Sequence, residues 1–180
     1  MKAVQRMSAL GAVGIAMVLV NGATSPAVAD VVTNPLVSLR PSTNAGLVVG
    51  QTGKTASDNT SPELGLLKAD ASNRTTWQLD VGKTEKEVKY YLFKTDKALC
   101  LNVQGASAED SAPIIAYACG TDDNELWSVV DQGNGYQIVN KLSGKCLAIK
   151  GEIEAGTALV QQTCAPGKSV STWLLTWNPA

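Results

Sequence analysis

Gly135-Tyr-Gln-Ile-Val-Asn-Lys-Leu-Ser-Gly-Lys-Cys-Leu-Ala-Ile149 opens the stretch that decides the fold. It continues through a Gly-containing loop to Ala158-Leu-Val-Gln-Gln-Thr-Cys164 and closes on Ser171-Thr-Trp173. A second copy runs from Tyr90 to Trp127. Cys100 precedes Trp127 by 27 positions, and Cys146 precedes Trp173 by the same 27. Tyr90 and Tyr136 each stand ten positions before their cysteine. Cys119 and Cys164 lie eight and nine residues before the tryptophans. Four coincidences in register make an internal repeat, and a repeat constrains the fold before any single element is read.

A third, degraded copy lies upstream. Trp77 takes the tryptophan position, Gly46 is read at the place of the first cysteine and Ala69 near the second. Between these landmarks the text is strand-like and short. Leu36-Val-Ser-Leu-Arg, Tyr90-Tyr-Leu-Phe, Leu99-Cys-Leu-Asn-Val and Ile114-Ile-Ala-Tyr-Ala are β-prone runs separated by Gly, Asn, Asp and Pro. Asp131-Gln-Gly-Asn-Gly135 is a hairpin turn, and the charged Gly82–Val88 is expected to be a solvated hairpin tip. No helical period is sustained. Three units of four short strands, none able to bury its apolar face alone, predict an all-β β-trefoil with pseudo-threefold symmetry. Trp77, Trp127 and Trp173 are then core residues. The units are expected at about residues 36–81, 90–130 and 135–177, within one domain of residues 36–180.

The first 29 residues read as a secretory leader. Lys2 and Arg6 precede the apolar Met7–Val20, and Ala27-Val28-Ala29 fits a cleavage site. The apolar run is shorter than the ~20 residues that cross a bilayer, so no membrane span is expected. Residues 30–35 would be a loose arm. The remaining 151 residues suffice for one core. Without Lys2 and Arg6 they carry 13 basic and 16 acidic side chains, a net −3, and no basic tract, so nucleic acid is not an expected partner. Four cysteines in a secreted chain point to disulfides, and the repeat selects Cys100–Cys119 and Cys146–Cys164 from three connectivities. The chain has no histidine, which removes the common histidine-based nucleophile systems and most zinc sites. The acidic pairs Glu109-Asp110 and Asp122-Asp123 read as solvated loop charges, and no calcium loop follows Asp122. The chain is therefore expected to be non-enzymatic, with no cofactor and no metal.

Ser143-Gly-Lys-Cys-Leu147, the Ala-Cys and Thr-Cys strands and the unit-closing tryptophans resemble the ricin-type lectin domain, a β-trefoil with a Q-x-W motif in each unit. The motif's glutamine is replaced here by Thr75, Glu125 and Ser171. The resemblance implies binding of a glycan or polysaccharide. It assigns an Asp two after the first cysteine, an aromatic plate two before the second, and an Asn three before the Trp. Only the second unit comes near this set: Asn102 stands where the Asp belongs, Tyr117 is the aromatic plate and Asn124 matches, with Glu125 in place of the Gln beside it. In the third unit Ala148 and Gln162 replace the Asp and the aromatic ring. In the first, Val48 and an apolar residue near Leu67 do so. Those two sites are expected to be dead. A narrower similarity links Val37–Val103 to the ricin-like A and C binding subunits of cytolethal distending toxins. It implies, as an alternative, a delivery subunit partnered by a toxin or enzyme chain.

Overall fold

The computed structural model describes residues 35–55, 61–69 and 76–177. The expected leader and most of the expected arm lie outside the described residues, as does Thr75. Twelve strands follow one another: β1 (Leu36–Pro41), β2 (Leu47–Thr55), β3 (Pro62–Lys68), β4 (Trp77–Glu85), β5 (Val88–Lys94) and β6 (Leu99–Val103), then β7 (Ile114–Ala118), β8 (Trp127–Asp131), β9 (Tyr136–Asn140), β10 (Cys146–Ile149), β11 (Leu159–Gln162) and β12 (Trp173–Trp177).

Six of them close a barrel. β1 pairs with β4, β4 with β5, β5 with β8, β8 with β9, β9 with β12, and β12 returns to β1, all antiparallel. Closure removes the exposed edges that an open sheet of short strands would present. The other six strands form three hairpins: β2–β3, β6–β7 and β10–β11. Single pairings join these hairpins in a triangle, Glu63 to Ile115, Pro113 to Val160 and Ala158 to Gly65. That is a β-trefoil.

The alternation along each hairpin fixes what faces inward. Leu101, Val103, Ile114 and Ala116 enter the common core with Leu64, Leu66, Leu147 and Leu159. The three tryptophans are fully buried, and each indole N–H donates to a carbonyl of its own unit's hairpin. Trp77 reaches Val49 at 3.1 Å, Trp127 reaches Leu101 at 2.9 Å and Trp173 reaches Leu147 at 3.0 Å. The repeat in sequence is thus a repeated hydrogen bond. It satisfies the one polar atom that a buried indole brings inside.

This bond also corrects the register of the first unit. Val49 is the counterpart of Leu101 and Leu147, so Val48, not Gly46, stands at the place of Cys100 and Cys146. Strand pairing agrees: Val48 faces Leu67 as Cys100 faces Tyr117 and Cys146 faces Gln162. The position read for Val48 belongs to Gly50. The spacing misled because the first unit has no cysteine to count from and its β2–β3 hairpin is longer.

Both disulfides join the pairs selected from the repeat, Cys100–Cys119 and Cys146–Cys164, over separations of 19 and 18 residues. The charged segment after Gly82 extends β4 and β5 and turns at Lys86-Glu87, whose φ angles of 48° and 68° match a tight two-residue hairpin turn. At Gly135 a Cβ would lie 2.8 Å from the Trp173 carbonyl oxygen, so glycine is required where β9 enters against β12.

Candidate glycan-binding site

The site is assembled on the outer face of the β6–β7 hairpin. Residues opposite each other across a ladder share a face. Asn102 pairs with Ile115, and Cys100 pairs with Tyr117, so Asn102 and Tyr117 emerge on the side away from the core. The inner face is held by Trp127, whose bond to the Leu101 carbonyl fixes the strand beside Asn102. The disulfide from Cys100 to Cys119 fixes the chain just past the end of β7, two residues beyond Tyr117. Tyr117 is 53% exposed, an aromatic ring held out on a rigid strand.

A 3₁₀ turn, Asp123–Glu125, brings Asn124 and Glu125 over this hairpin. It is held from behind by the end of β9. The Asn140 side chain donates to the Asn124 carbonyl at 3.0 Å, the Lys141 N–H to the Leu126 carbonyl at 2.8 Å and the Leu142 N–H to the Asp123 carbonyl at 3.1 Å. Lys141 Nζ lies 2.6 Å from Asp123 Oδ2 and 3.4 Å from Glu85 Oε2. Its hydrogen bonds to Asp123 and Glu85 hold both carboxyls below the usual carboxylate range, and the bond to Asp123 raises the lysine in turn.

Asn124 Nδ2 donates to Asn102 Oδ1 at 2.8 Å and to the Val103 carbonyl at 3.2 Å. A backbone carbonyl can only accept, so it fixes which end of the Asn124 amide points inward. That nitrogen then fixes Asn102 with its oxygen inward. The atoms left for a ligand are the Asn102 Nδ2 donor and the Asn124 Oδ1 acceptor, which have no partner among the described residues. Asn102 is 6% exposed, so its amide presents an edge rather than a free arm. An Asp at this position would offer an acceptor where Asn102 offers a donor.

Glu125 is 2% exposed. Its Oε1 accepts the Gly120 N–H at 2.8 Å and the Asp122 N–H at 3.1 Å, which ties down the loop before the turn. All four residues singled out from the sequence, Asn102, Tyr117, Asn124 and Glu125, line one open cleft of about 480 Å³. Sequence reasoning did not include Gln104, Gly105, Ala106 and Asp122, which line it too. Asp122 adjoins the residues chosen, but its acidic neighbours gave it the look of an ordinary solvated loop.

The counterpart positions differ. In the third unit Ala148 is fully buried, and Gln162 Nε2 donates to Ser111 Oγ at 2.9 Å. There the second unit's loop docks, with Asp110 Oδ1 accepting the Thr163 N–H at 2.8 Å and Lys145 Nζ at 2.7 Å. The Lys145 bond holds Asp110 below the usual carboxylate range. In the first unit the equivalent places hold Gly50 and Leu67. Among the described residues no group of three or more acidic, cysteine or histidine side chains could hold a metal ion. No helix there is long and apolar enough to cross a membrane.

The chain belongs to the ricin-type beta-trefoil lectin domain-like family, which matches residues 73–176. Solved structures share the fold. The designed 3-fold symmetric protein ThreeFoil is 24% identical with a TM-score of 0.66, the match covering 78% of this chain and 96% of that one. Polyporus squamosus lectin, solved with a human-type influenza-binding epitope, is 16% identical with a TM-score of 0.66, covering 79% of this chain and 48% of the lectin. An exo-beta-1,3-galactanase from Clostridium thermocellum is 23% identical with a TM-score of 0.67, covering 80% of this chain and 30% of the enzyme. The chain thus spans half or less of those two longer proteins. No curated protein matches it in sequence.

Proposed function

We propose that this chain is a secreted, non-enzymatic glycan-binding protein with at most one working sugar site, in the second unit. One observation carries the reading. An exposed aromatic ring, Tyr117, stands beside an amide pair whose outward atoms are unused, in a cleft that both line. A pyranose has an apolar C–H face and a rim of hydroxyls, and such a plate with a fixed donor and acceptor complements both. The lectin family and the glycan-bound Polyporus squamosus lectin support the class of ligand. The leader read from residues 1–29 and the two disulfides support an extracellular setting for a single trefoil domain.

The test is a glycan array or polysaccharide pull-down with the wild-type protein beside Y117A. Tyr117 is exposed, so its truncation leaves the fold near wild-type stability. The expected outcome is retention of a defined glycan by the wild type and at least tenfold loss in the variant. Retention unchanged in Y117A would place the ligand elsewhere. No retention by the wild type, with a second chain co-purifying, would favour the delivery-subunit reading.

A further inference from the structure

The second-unit cleft holds an arrangement of charge that stacking and amide contacts do not use. Glu125 Oε2 is buried and has no hydrogen-bond partner, while Oε1 takes both available N–H groups. A carboxylate oxygen sealed without a partner is costly, and any nearby cation offsets that cost. Asp122 adds a second carboxylate on the exposed lip of the same cleft. No lysine or arginine lines it among the described residues. The nearest cations to the turn, Lys141 and Lys83, are held by Asp123 and Glu85 instead. A concave site with low-dielectric walls and one sign of charge concentrates its potential in the cleft.

We infer that the cleft selects a glycan bearing a free ammonium group, an unacetylated amino sugar, over the neutral N-acetylated or anionic counterpart. This rests on the glycan-binding reading above. The sugar's C–H face lies on Tyr117, a hydroxyl oxygen accepts from Asn102 Nδ2 and a hydroxyl donates to Asn124 Oδ1. The ammonium group lies toward Asp122. Glu125 acts from beneath as a fixed charge, not as a contact, because its free oxygen is closed to solvent. The Tyr117 ring face favours the same sign of charge.

The experiment compares two probes of equal length, the hexasaccharide of N-acetylglucosamine and its fully deacetylated form, by titration calorimetry. It is run at about pH 6, where a sugar amine is protonated as an α-amino group is. The expected result is that the wild type binds the deacetylated probe about three- to tenfold more tightly, the effect of one charge across a half-solvated cleft. The preference shrinks between about 0.05 and 0.5 M salt. It falls toward unity in E125Q and in D122N, and persists in E152Q/E154Q, which removes two exposed charges outside the cleft. Equal or weaker binding of the deacetylated probe overturns the inference. So does a preference that survives in both E125Q and D122N. Tyr117-dependent binding of neutral glycans alone leaves the glycan-binding reading standing and removes this one; binding of no glycan at all removes both.

Discussion

The second unit differs from the family pattern in two linked ways. Where the pattern has Asp, this chain has Asn102; where it has Gln, this chain has Glu125. One negative charge remains, moved from the hairpin to the turn. Asn124 joins the two positions, by a 2.8 Å hydrogen bond to Asn102 and by a peptide bond to Glu125. If the exchange is compensatory, the substitutions N102D and E125Q are strongly non-additive. N102D alone puts two carboxylates beneath one cleft, both on residues that are almost fully buried. Two like charges about 10 Å apart at an effective dielectric of about 20 repel by roughly 1.7 kcal/mol, which sets the scale of the effect. N102D is therefore expected to cost about 1–2 kcal/mol more in the wild-type background than in the E125Q background. For a domain of this size that is an extra fall of about 3–7 °C in Tm. Urea denaturation of the four proteins at neutral pH gives the coupling directly. The hydrogen bond from Asn124 survives in all four, since an Asp oxygen accepts it as the Asn oxygen does. A coupling below about 0.3 kcal/mol, the level at which distant sites add, would refute the account.

Two further outcomes follow from the same geometry. Replacing either cysteine pair with serine releases a loop of 18 or 19 residues and costs about 3 kcal/mol, or about 6–12 °C in Tm. Only loss of Cys100–Cys119 should also weaken glycan retention, because only that bridge steadies the strand carrying Tyr117; equal effects on retention would contradict this. The lysine partners make the fold acid-sensitive. Asp123, Glu85 and Asp110 have lowered pKa values, so their contribution is complete above the ordinary carboxylate range and is lost as pH falls through their depressed values. Lys141 is raised, so the same contacts are kept through neutral pH and lost only as pH rises past the ordinary lysine range. In K141M the decline of Tm between about pH 5 and pH 2 should be shallower than in wild type; an identical slope would show that these exposed pairs add nothing measurable.

The fold was legible because its determinants are periodic. Cysteine and tryptophan recur at fixed distances, and the structure gives the distance a meaning, since each Trp must reach a carbonyl one residue past the first cysteine position. Where the cysteine is absent the ruler fails, and the sequence reading lands on Gly46 instead of Val48. The candidate residues could be chosen from the resemblance, yet the direction of the Asn102 amide could not. It depends on the Val103 carbonyl and on Asn124, 22 residues away in sequence. Nor does sequence reveal that Asn140 and Lys141 of the third unit hold the second unit's turn, because that contact crosses a unit boundary.

The contrast between inner and outer faces explains how three units of one fold come to differ in what they present to solvent. The core is shared, so each unit must supply inward apolar side chains and the same indole N–H bond, at 3.1, 2.9 and 3.0 Å. A change there is felt by all three units. The outer faces take no part in the common core. Gly50 and Leu67, Asn102 and Tyr117, and Ala148 and Gln162 occupy the same pair of positions on three hairpins without disturbing the barrel. At Gln162 the outer face makes a contact between units, through Ser111 and the Asp110–Thr163 bonds. Symmetry is thus kept where packing demands it and lost where only a ligand would. Among the described residues, the second unit's outer face carries an exposed ring and an amide edge without a partner, and packing offers no account of either.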